Sequence, residues 1–220
     1  MMALLSINSS KISDGQISLP RTGRWVAALR ATEPVPLGEP LQMEFESGER
    51  LAATCVAAGR QGGFWSLSLV GGAGRLDRAL RPKYYEGVPA YLIIRDLLTE
   101  AGEAAGEIDG PEVFLRYTRL GHPAWQELRR VLLLLPERGW RVQPDGRVWV
   151  GREAWPSYPK RLASIEFDFA RGHFWFPLEP GLQPGVRLEG RAAGADVVFG
   201  DIERVVHHIG QYRTEVFCAR

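Results

Sequence analysis

The sequence predicts a mainly β fold with an α+β insertion, in which two small β-barrel domains flank a small α/β module. Three observations support this prediction. Short runs that alternate polar and apolar residues occupy both ends of the 220-residue chain. Glycine (25 residues) and proline (15 residues) separate these runs, as in barrels and sandwiches with a turn about every 8–12 residues. Near residue 87 the pattern changes to helical spacing. We therefore expect three domains, at residues 1–86, 87–155 and 156–220.

The first region, 1–86, is predicted to be a β-barrel. Its clearest strand is 41–46, where Leu41, Met43 and Phe45 alternate with polar residues. Because successive side chains of a strand point to opposite faces, these three residues are expected to face the interior. Further strands are predicted at 16–19, 25–29, 51–57 and 64–70.

The middle region, 87–155, is predicted to contain two helices and a hairpin. Pro89 and Gly102 stand where a helix favours its first position and its end. A second helix should begin at Pro123 and stop before Pro136, residues 102–110 should form a flexible acidic loop, and 141–150 should form a hairpin around a Pro-Asp-Gly turn. The expected core of this module is Tyr91, Ile94, Leu98, Trp125, Leu128 and Leu132, packed against Val142 and Val148 of the hairpin.

The last region, 156–220, returns to a β pattern and is predicted to be the second barrel. Ile165, Phe167 and Phe169 alternate with polar or small residues and are expected to face its interior. Four further strands are predicted at 186–190, 196–199, 203–208 and 214–218. If Phe167 is fully buried, Phe167→Ala should cost about 3–5 kcal/mol.

One strand of the last region, Phe174-Trp175-Phe176, has an aromatic residue on both faces. Protein interfaces are enriched in tryptophan, tyrosine and phenylalanine, so we predict that Phe174, Trp175 and Phe176 form a subunit interface. A platform for carbohydrate is the alternative interpretation of this strand.

The polar residues predict no catalytic or metal site. His207 and His208 are adjacent, so on a strand they point to opposite faces and cannot share a metal ion in the ordinary way. Glu166 and Asp168 lie two apart, roughly 6.5–7 Å on a strand, which overlaps the carboxyl spacing of inverting glycosidases. A solvated strand face explains these carboxylates more simply. We therefore expect no enzyme activity, no cofactor and no metal.

Composition excludes several partner classes. The formal net charge is +1, from 27 basic and 26 acidic residues, which gives no electrostatic reason to expect specific nucleic-acid binding. The longest apolar run, 131–135, is far shorter than the roughly 18 residues that span a bilayer, so no membrane partner is expected. The glycine-rich segment 71–74 lacks the spacing of a phosphate-binding loop. Cys55 and Cys218 are interpreted as buried apolar residues, with a single disulfide as the alternative.

The order of several segments resembles phage baseplate hub proteins of the late control protein D type. Residues 88–103, with Ile-Arg-Asp-Leu-Leu-Thr-Glu-Ala-Gly-Glu at 94–103, are similar to the helix that follows their first tail-tube-like domain. Residues 139–151 (Gly-Trp-Arg-Val-Gln-Pro-Asp-Gly-Arg-Val-Trp-Val-Gly) are similar to their hairpin. Segments 182–186, 205–208 and 213–216 are similar to strands of their closing barrel.

This resemblance implies a structural tail protein located in the virion and assembled in the host cytoplasm. Three copies would form a homotrimer whose six barrels make a pseudo-hexameric ring between the tail tube and the spike or tip. The implied partners are other tail proteins (tail tube, spike or tip, tape measure), with DNA only passing through the lumen. Two alternatives stay open: a carbohydrate-binding or cell-wall-hydrolysing tail protein, and a β-barrel enzyme or binding module.

Overall fold

The structure, a computed structural model, describes residues 4–8 and 10–219. Within these residues the chain is mainly β, with two helices, as the sequence predicts. Neither of these two helices, 12 and 9 residues long, has the length and apolar character needed to cross a membrane.

Six strands from the first third of the chain close into a barrel. They are β1 (Leu5–Ile7), β2 (Ser10–Pro20), β3 (Val26–Ala31), β4 (Pro40–Phe45), β5 (Arg50–Gln61) and β6 (Phe64–Gly71). They pair in the order β1-β4-β5-β6-β3-β2, and β1 also pairs with β2, which completes the ring. Leu41, Met43 and Phe45 are buried inside, as their alternation predicts.

The middle region combines two helices with two small sheets. Its elements are β7 (Lys83–Pro89), α1 (Ala90–Ala101), β8 (Ala105–Ile108), β9 (Val113–Arg119), α2 (Ala124–Leu132), β10 (Gly139–Val142) and β11 (Val148–Gly151). β7 pairs with β9, and the predicted hairpin β10–β11 is present. The prediction of a loop at 102–110 is wrong, because β8 pairs in parallel with β11 there.

The predicted core of the middle region is correct for most of its members. Ile94, Leu98 and Leu128 are fully buried, and so are Val142 and Val148 of the hairpin. The other three predicted residues, Tyr91, Trp125 and Leu132, are only half-buried. The two helices contact each other, so they share one core.

The last region contains six strands: β12 (Leu162–Ala163), β13 (Glu166–Asp168), β14 (His173–Pro177), β15 (Arg187–Ala192), β16 (Ala195–His208) and β17 (Arg213–Ala219). Where the sequence predicts two strands, at 196–199 and 203–208, the structure has the single strand β16. Its ladder with β15 skips Phe199 beside Gly200, whose φ of 121° suits glycine alone. The glycine therefore marks a bulge within a strand and not a turn between strands.

A single backbone ladder joins the two β regions. β2 pairs with β16 from Pro20–Arg204 to Gln16–His208, so all twelve strands of the two regions form one sheet. The apolar cores remain separate. One cluster contains the interior of the first barrel together with the middle region, and a second cluster lies within the last region.

The prediction that Ile165, Phe167 and Phe169 lie inside a core is wrong. These side chains are 47%, 45% and 48% exposed. Phe167 pairs with Phe174, whose side chain is buried, so the predicted side of the strand is correct. The burial fails because β13 is only three residues long and ends the strand order of the sheet, so no further strand covers it.

Candidate assembly surface

The predicted interface strand is β14, and its three aromatic residues divide between two environments. Phe174 and Phe176 are 1% and 0% exposed. Both contact the ring of Phe199, with centroid distances of 4.9 Å and 5.1 Å and edge-to-face geometry. Two of the three residues predicted for a subunit interface thus pack into the core of their own chain.

Trp175 points to the opposite face of β14 and is half-buried there. Its ring lies 5.7 Å from that of His173 and 5.1 Å from that of His208. His173 also stacks on Phe217 at 4.6 Å. Trp175 is therefore the member of the predicted trio that remains on the outer surface, within a small group of aromatic and imidazole rings.

A carboxylate holds this outer group together. Oε1 of Glu215 lies 2.7 Å from Nε2 of His173, and its Oε2 lies 2.9 Å from Nε2 of His208. Each imidazole therefore donates to a different oxygen of one carboxylate. Because β14, β16 and β17 are adjacent, this cross-strand arrangement fixes the orientation of both rings beside Trp175.

A second exposed apolar group lies at the start of the last region. We name Ile165, Phe167 and Phe169 the aromatic edge. The rings of Phe167 and Phe169 are 5.3 Å apart, and Phe169 contacts the buried ring of Phe174 at 5.2 Å. Three large apolar side chains, each nearly half exposed, are typical of a surface that another protein covers.

The two adjacent histidines face opposite sides, as predicted. His207 is 1% exposed, packs edge-on against Phe45 of the first barrel at 6.1 Å, and places Nδ1 3.0 Å from Oγ1 of Thr214. Burial lowers the pKa of His207 to about 4, so the ring is neutral at physiological pH. His207 therefore stabilises the joint between the two β regions as a neutral, packed group.

The carboxylates considered for catalysis each have an ordinary structural partner. Oε1 of Glu166 accepts a hydrogen bond from Nη1 of Arg213 at 3.1 Å. Oδ1 of Asp168 accepts one from the backbone N–H of Arg171 at 3.1 Å, within the turn that leads to β14. In the part of the chain that the structure describes, no three side chains of His, Cys, Asp or Glu are placed to hold a metal ion.

The glycine-rich segment 71–74 wraps around a carboxylate of the chain itself. Glu103 accepts hydrogen bonds from the backbone N–H groups of Ala73 at 3.0 Å and Arg75 at 2.5 Å. Burial raises the pKa of Glu103, while these donors oppose the rise. An anion-binding loop is thus present, but its anion is internal, and it fastens the first barrel to the end of α1.

Sequence reasoning did not find the buried charges of the middle region. The guanidinium of Arg119 is 1% exposed and contacts Asp96 at 3.4 Å, Glu100, and the carbonyl oxygen of Arg81 at 2.9 Å. Arg138, 3% exposed, pairs with Asp109 and Glu112 at 3.2 Å and 2.8 Å. Their partners lie 19 to 38 residues away in sequence, so no local motif predicts them. They hold strands and helices together.

Comparison with known proteins identifies the fold class. No protein-family model matches the sequence, and no curated protein matches it either. Among solved structures, the chain is similar to the 43 kDa tail protein of prophage MuSo2 from Shewanella oneidensis, with a TM-score of 0.74, 10% identity, and 96% of both chains covered.

Two more solved structures have a similar fold. The tail protein of Neisseria meningitidis MC58 superposes with a TM-score of 0.72 at 15% identity, covering 96% of this chain and 94% of that one. The c3393 protein of E. coli superposes with a TM-score of 0.72 at 11% identity, covering 98% and 77%. It is described as a component of the type VI secretion system with structural similarity to the T4 tail proteins gp27 and gp5. The chain therefore has the fold of phage-type tail proteins.

Proposed function

We propose that the chain is a structural subunit of a phage-type tail, in the hub of the baseplate or tail tip. The observation that carries the proposal is the β2–β16 ladder, which joins a closed barrel edge to edge with a second strand group inside one chain. The fold shared with tail proteins supports the same conclusion.

The last region is interpreted as a second barrel, with residues 162–168 as its closing segment. β12 pairs with β15, β13 pairs with β14, and only residues 164 and 165 separate the two short strands. Three copies would then supply six barrels in a pseudo-hexameric homotrimer, as in the hub proteins that the sequence resembles. Its partners would be the tail tube, the spike or tip and the tape measure. DNA would pass through the lumen, and the ring would assemble in the host cytoplasm into the virion.

The exposed apolar groups suggest how the copies meet. The aromatic edge lies in the last region, and the outer face of the first barrel carries Val26 and Val56, 45% and 51% exposed, beside a shallow groove of about 260 Å³. The aromatic edge of one copy would pack against this groove of the next, with Trp175 nearby. Such a contact is heterologous, and a threefold rotation closes it into a ring.

Sedimentation tests the ring. Wild type should sediment as a trimer, while Phe167→Asp and Val56→Asp should each shift it towards monomer, because a charge is buried in an apolar contact. Trp175→Glu should have the same direction of effect. Leu115→Asp is the matched control, since Leu115 is 82% exposed on β9, outside this surface. A wild-type monomer at tens of micromolar, or equal loss of assembly in the control, would contradict the proposed contact.

We also propose that the subunit has no catalytic activity. Both carboxylates with the spacing of a glycosidase pair have structural partners, as described above. Wild type should therefore leave peptidoglycan intact. Turnover that disappears in Glu166→Gln and in Asp168→Asn would favour the cell-wall-hydrolysing alternative instead.

A further inference from the structure

A cavity of about 280 Å³ lies where the first barrel meets the middle region. The turn between β2 and β3 forms one wall, and the segment that follows β6 forms another. The middle region contributes two indoles, one from α2 and one from β10. We name this the tryptophan cavity, and its lining residues are Gly23, Arg24, Leu76, Asp77, Trp125 and Trp140.

Backbone hydrogen bonds attach both tryptophans to the other walls of the cavity. The backbone N–H of Trp125 donates to the carbonyl oxygen of Leu76 at 3.0 Å. The carbonyl oxygen of Trp140 accepts from the backbone N–H of Gly23 at 2.8 Å. The backbone that carries the two rings is therefore held in place without a ligand, as is usual for binding pockets.

The indole N–H groups of the two tryptophans have no acceptor within residues 4–8 and 10–219, whereas Nε1 of Trp25 donates to the carbonyl oxygen of Gln143. Trp140 is only 8% exposed, and an indole this buried usually has a partner for its N–H. The fully enclosed polar side-chain atoms that lack a partner in the described part of the chain belong to Glu49, Glu112, His122 and His207. Neither indole N–H is among them, so both donors are open to a ligand.

The charges on the cavity wall cancel each other. Nη1 of Arg24 lies 2.5 Å from Oδ2 of Asp77, and no other charged side chain lines the cavity. Asp77 is also the only side chain of the lining that can accept a hydrogen bond, and it is already paired. The tryptophan cavity therefore suits an uncharged ligand that has apolar faces and accepts hydrogen bonds.

We propose that the tryptophan cavity binds a proline-containing segment of a partner protein in the polyproline II conformation. Proline has no N–H, so it needs no acceptor from the cavity, while the carbonyl oxygens of such a segment can accept from the indoles. Grooves lined by aromatic residues are the usual sites for these segments, which bind at low entropic cost because their conformation is already extended. A sugar fits less well, because its hydroxyl groups also need acceptors.

The size and position of the cavity agree with a short segment as its ligand. Its volume lies just below the roughly 300–1,000 Å³ of pockets that enclose drug-sized molecules, so it suits one or two residues. It shares no residue with the groove beside Val26 and Val56 or with the aromatic edge. The proposal therefore does not depend on the proposed ring.

An NMR titration of the full chain with acetyl-Ala-Pro-Pro-Ala-Pro-Pro-Ala-amide tests this site. The indole N–H resonances of Trp125 and Trp140 should shift saturably. The same peptide with alanine in place of every proline should bind about tenfold more weakly, because it loses the apolar rings and the preformed conformation. Added sodium chloride should leave the affinity for the proline peptide unchanged, because no ion pair contributes to binding.

Variants of the chain separate the donor from the aromatic surface. Trp140→Phe keeps an aromatic ring and removes the N–H, so it should weaken binding about fivefold, the effect of one hydrogen bond between neutral groups. Trp125→Leu removes an aromatic face and should weaken binding about tenfold. Trp65→Phe is the matched control, since Trp65 is a half-buried tryptophan on β6 that does not line the cavity. Thermal unfolding of each variant checks that the fold is retained.

Several results would overturn the proposal. Wild type whose two indole resonances do not shift at millimolar proline peptide, or that binds the alanine peptide equally well, would exclude a proline site. Shifts of these resonances with N-acetylglucosamine but not with the proline peptide would assign the cavity to carbohydrate. Equal weakening in Trp65→Phe would show that the peptide binds elsewhere on the chain.

Discussion

The first barrel and the last region are built from the same kind of short antiparallel strands, but they end differently. In the first barrel β1 pairs with both β4 and β2, so backbone hydrogen bonds complete the ring and every inward residue of β4 is buried. In the last region the segment 162–168 divides its pairing between β15 and β14. The divided strand leaves the aromatic edge exposed. Complete pairing buries side chains, whereas a split strand leaves apolar side chains exposed.

The largest effect is expected from Trp25→Ala, which tests whether the first barrel and the middle region unfold together. The indole is 1% exposed, packs directly over Gly71, and places Nε1 3.4 Å from the carbonyl oxygen of Gln143 in the hairpin. Its removal should cost about 3–5 kcal/mol of unfolding free energy in chemical denaturation. Hydrogen exchange should show both regions losing protection. Loss of protection in the barrel alone would show that the first barrel and the middle region unfold independently.

Phe174→Ala should cost about 3 kcal/mol, at the lower end of the range for a buried phenylalanine. The ring is 1% exposed and belongs to the separate apolar cluster of the last region. Protection from hydrogen exchange should therefore fall first in β14, β16 and β17. Equal loss of protection in the first barrel would show that the two apolar cores unfold as a single unit.

Acid should weaken the joint between the two regions through His207. Its pKa is about 4 in the folded chain against an ordinary value of 6.5. Between these values the unfolded chain binds a proton that the folded chain does not, so stability falls as the pH drops from about 6.5 to 4, by up to about 3 kcal/mol. Burial is the main cause. The charge of His208 adds to the lowering, and Glu49 opposes it.

The measurement for His207 is the difference between two pH series. The unfolding free energies of wild type and His207→Asn are measured from pH 7 to pH 4. Acidic groups elsewhere affect both chains alike, so their contribution cancels in the difference. The unfolding free energy of the variant should fall less steeply with decreasing pH than that of the wild type. Identical slopes would contradict a neutral, buried His207.

The smallest effect is expected from Phe167→Ala, at about 1 kcal/mol, because nearly half of the ring is already exposed. The same substitution should weaken assembly more than folding. Sedimentation at several concentrations would measure the effect on assembly apart from the effect on stability. A stability loss as large as that of Phe174→Ala would mean that Phe167 belongs to the core, as its alternation first suggested.

The sequence predicts the elements better than their boundaries. α1 is found between the proline and the glycine that predict it, with Gly102 at a φ of 88° where a left-handed residue ends the helix. α2 ends at Leu132, three residues before the predicted limit, because the chain continues in turns through Leu135. The sequence of β8 has no hydrophobic periodicity that would predict a strand. Its extended form comes from pairing with β11, which lies about 40 residues later.

For the candidate surface, the sequence by itself determined which residues are aromatic and which side of each strand they take, because alternation along a strand is a local property. It correctly predicted that Trp175 and Phe174 point to opposite faces of their strand, and that His207 and His208 do the same. Only the tertiary structure decided which of these sides is covered. Phe174 and Phe167 face the same way on paired strands, yet only Phe174 has strands on both of its edges. Burial depends on neighbours distant in sequence, and no local pattern records them.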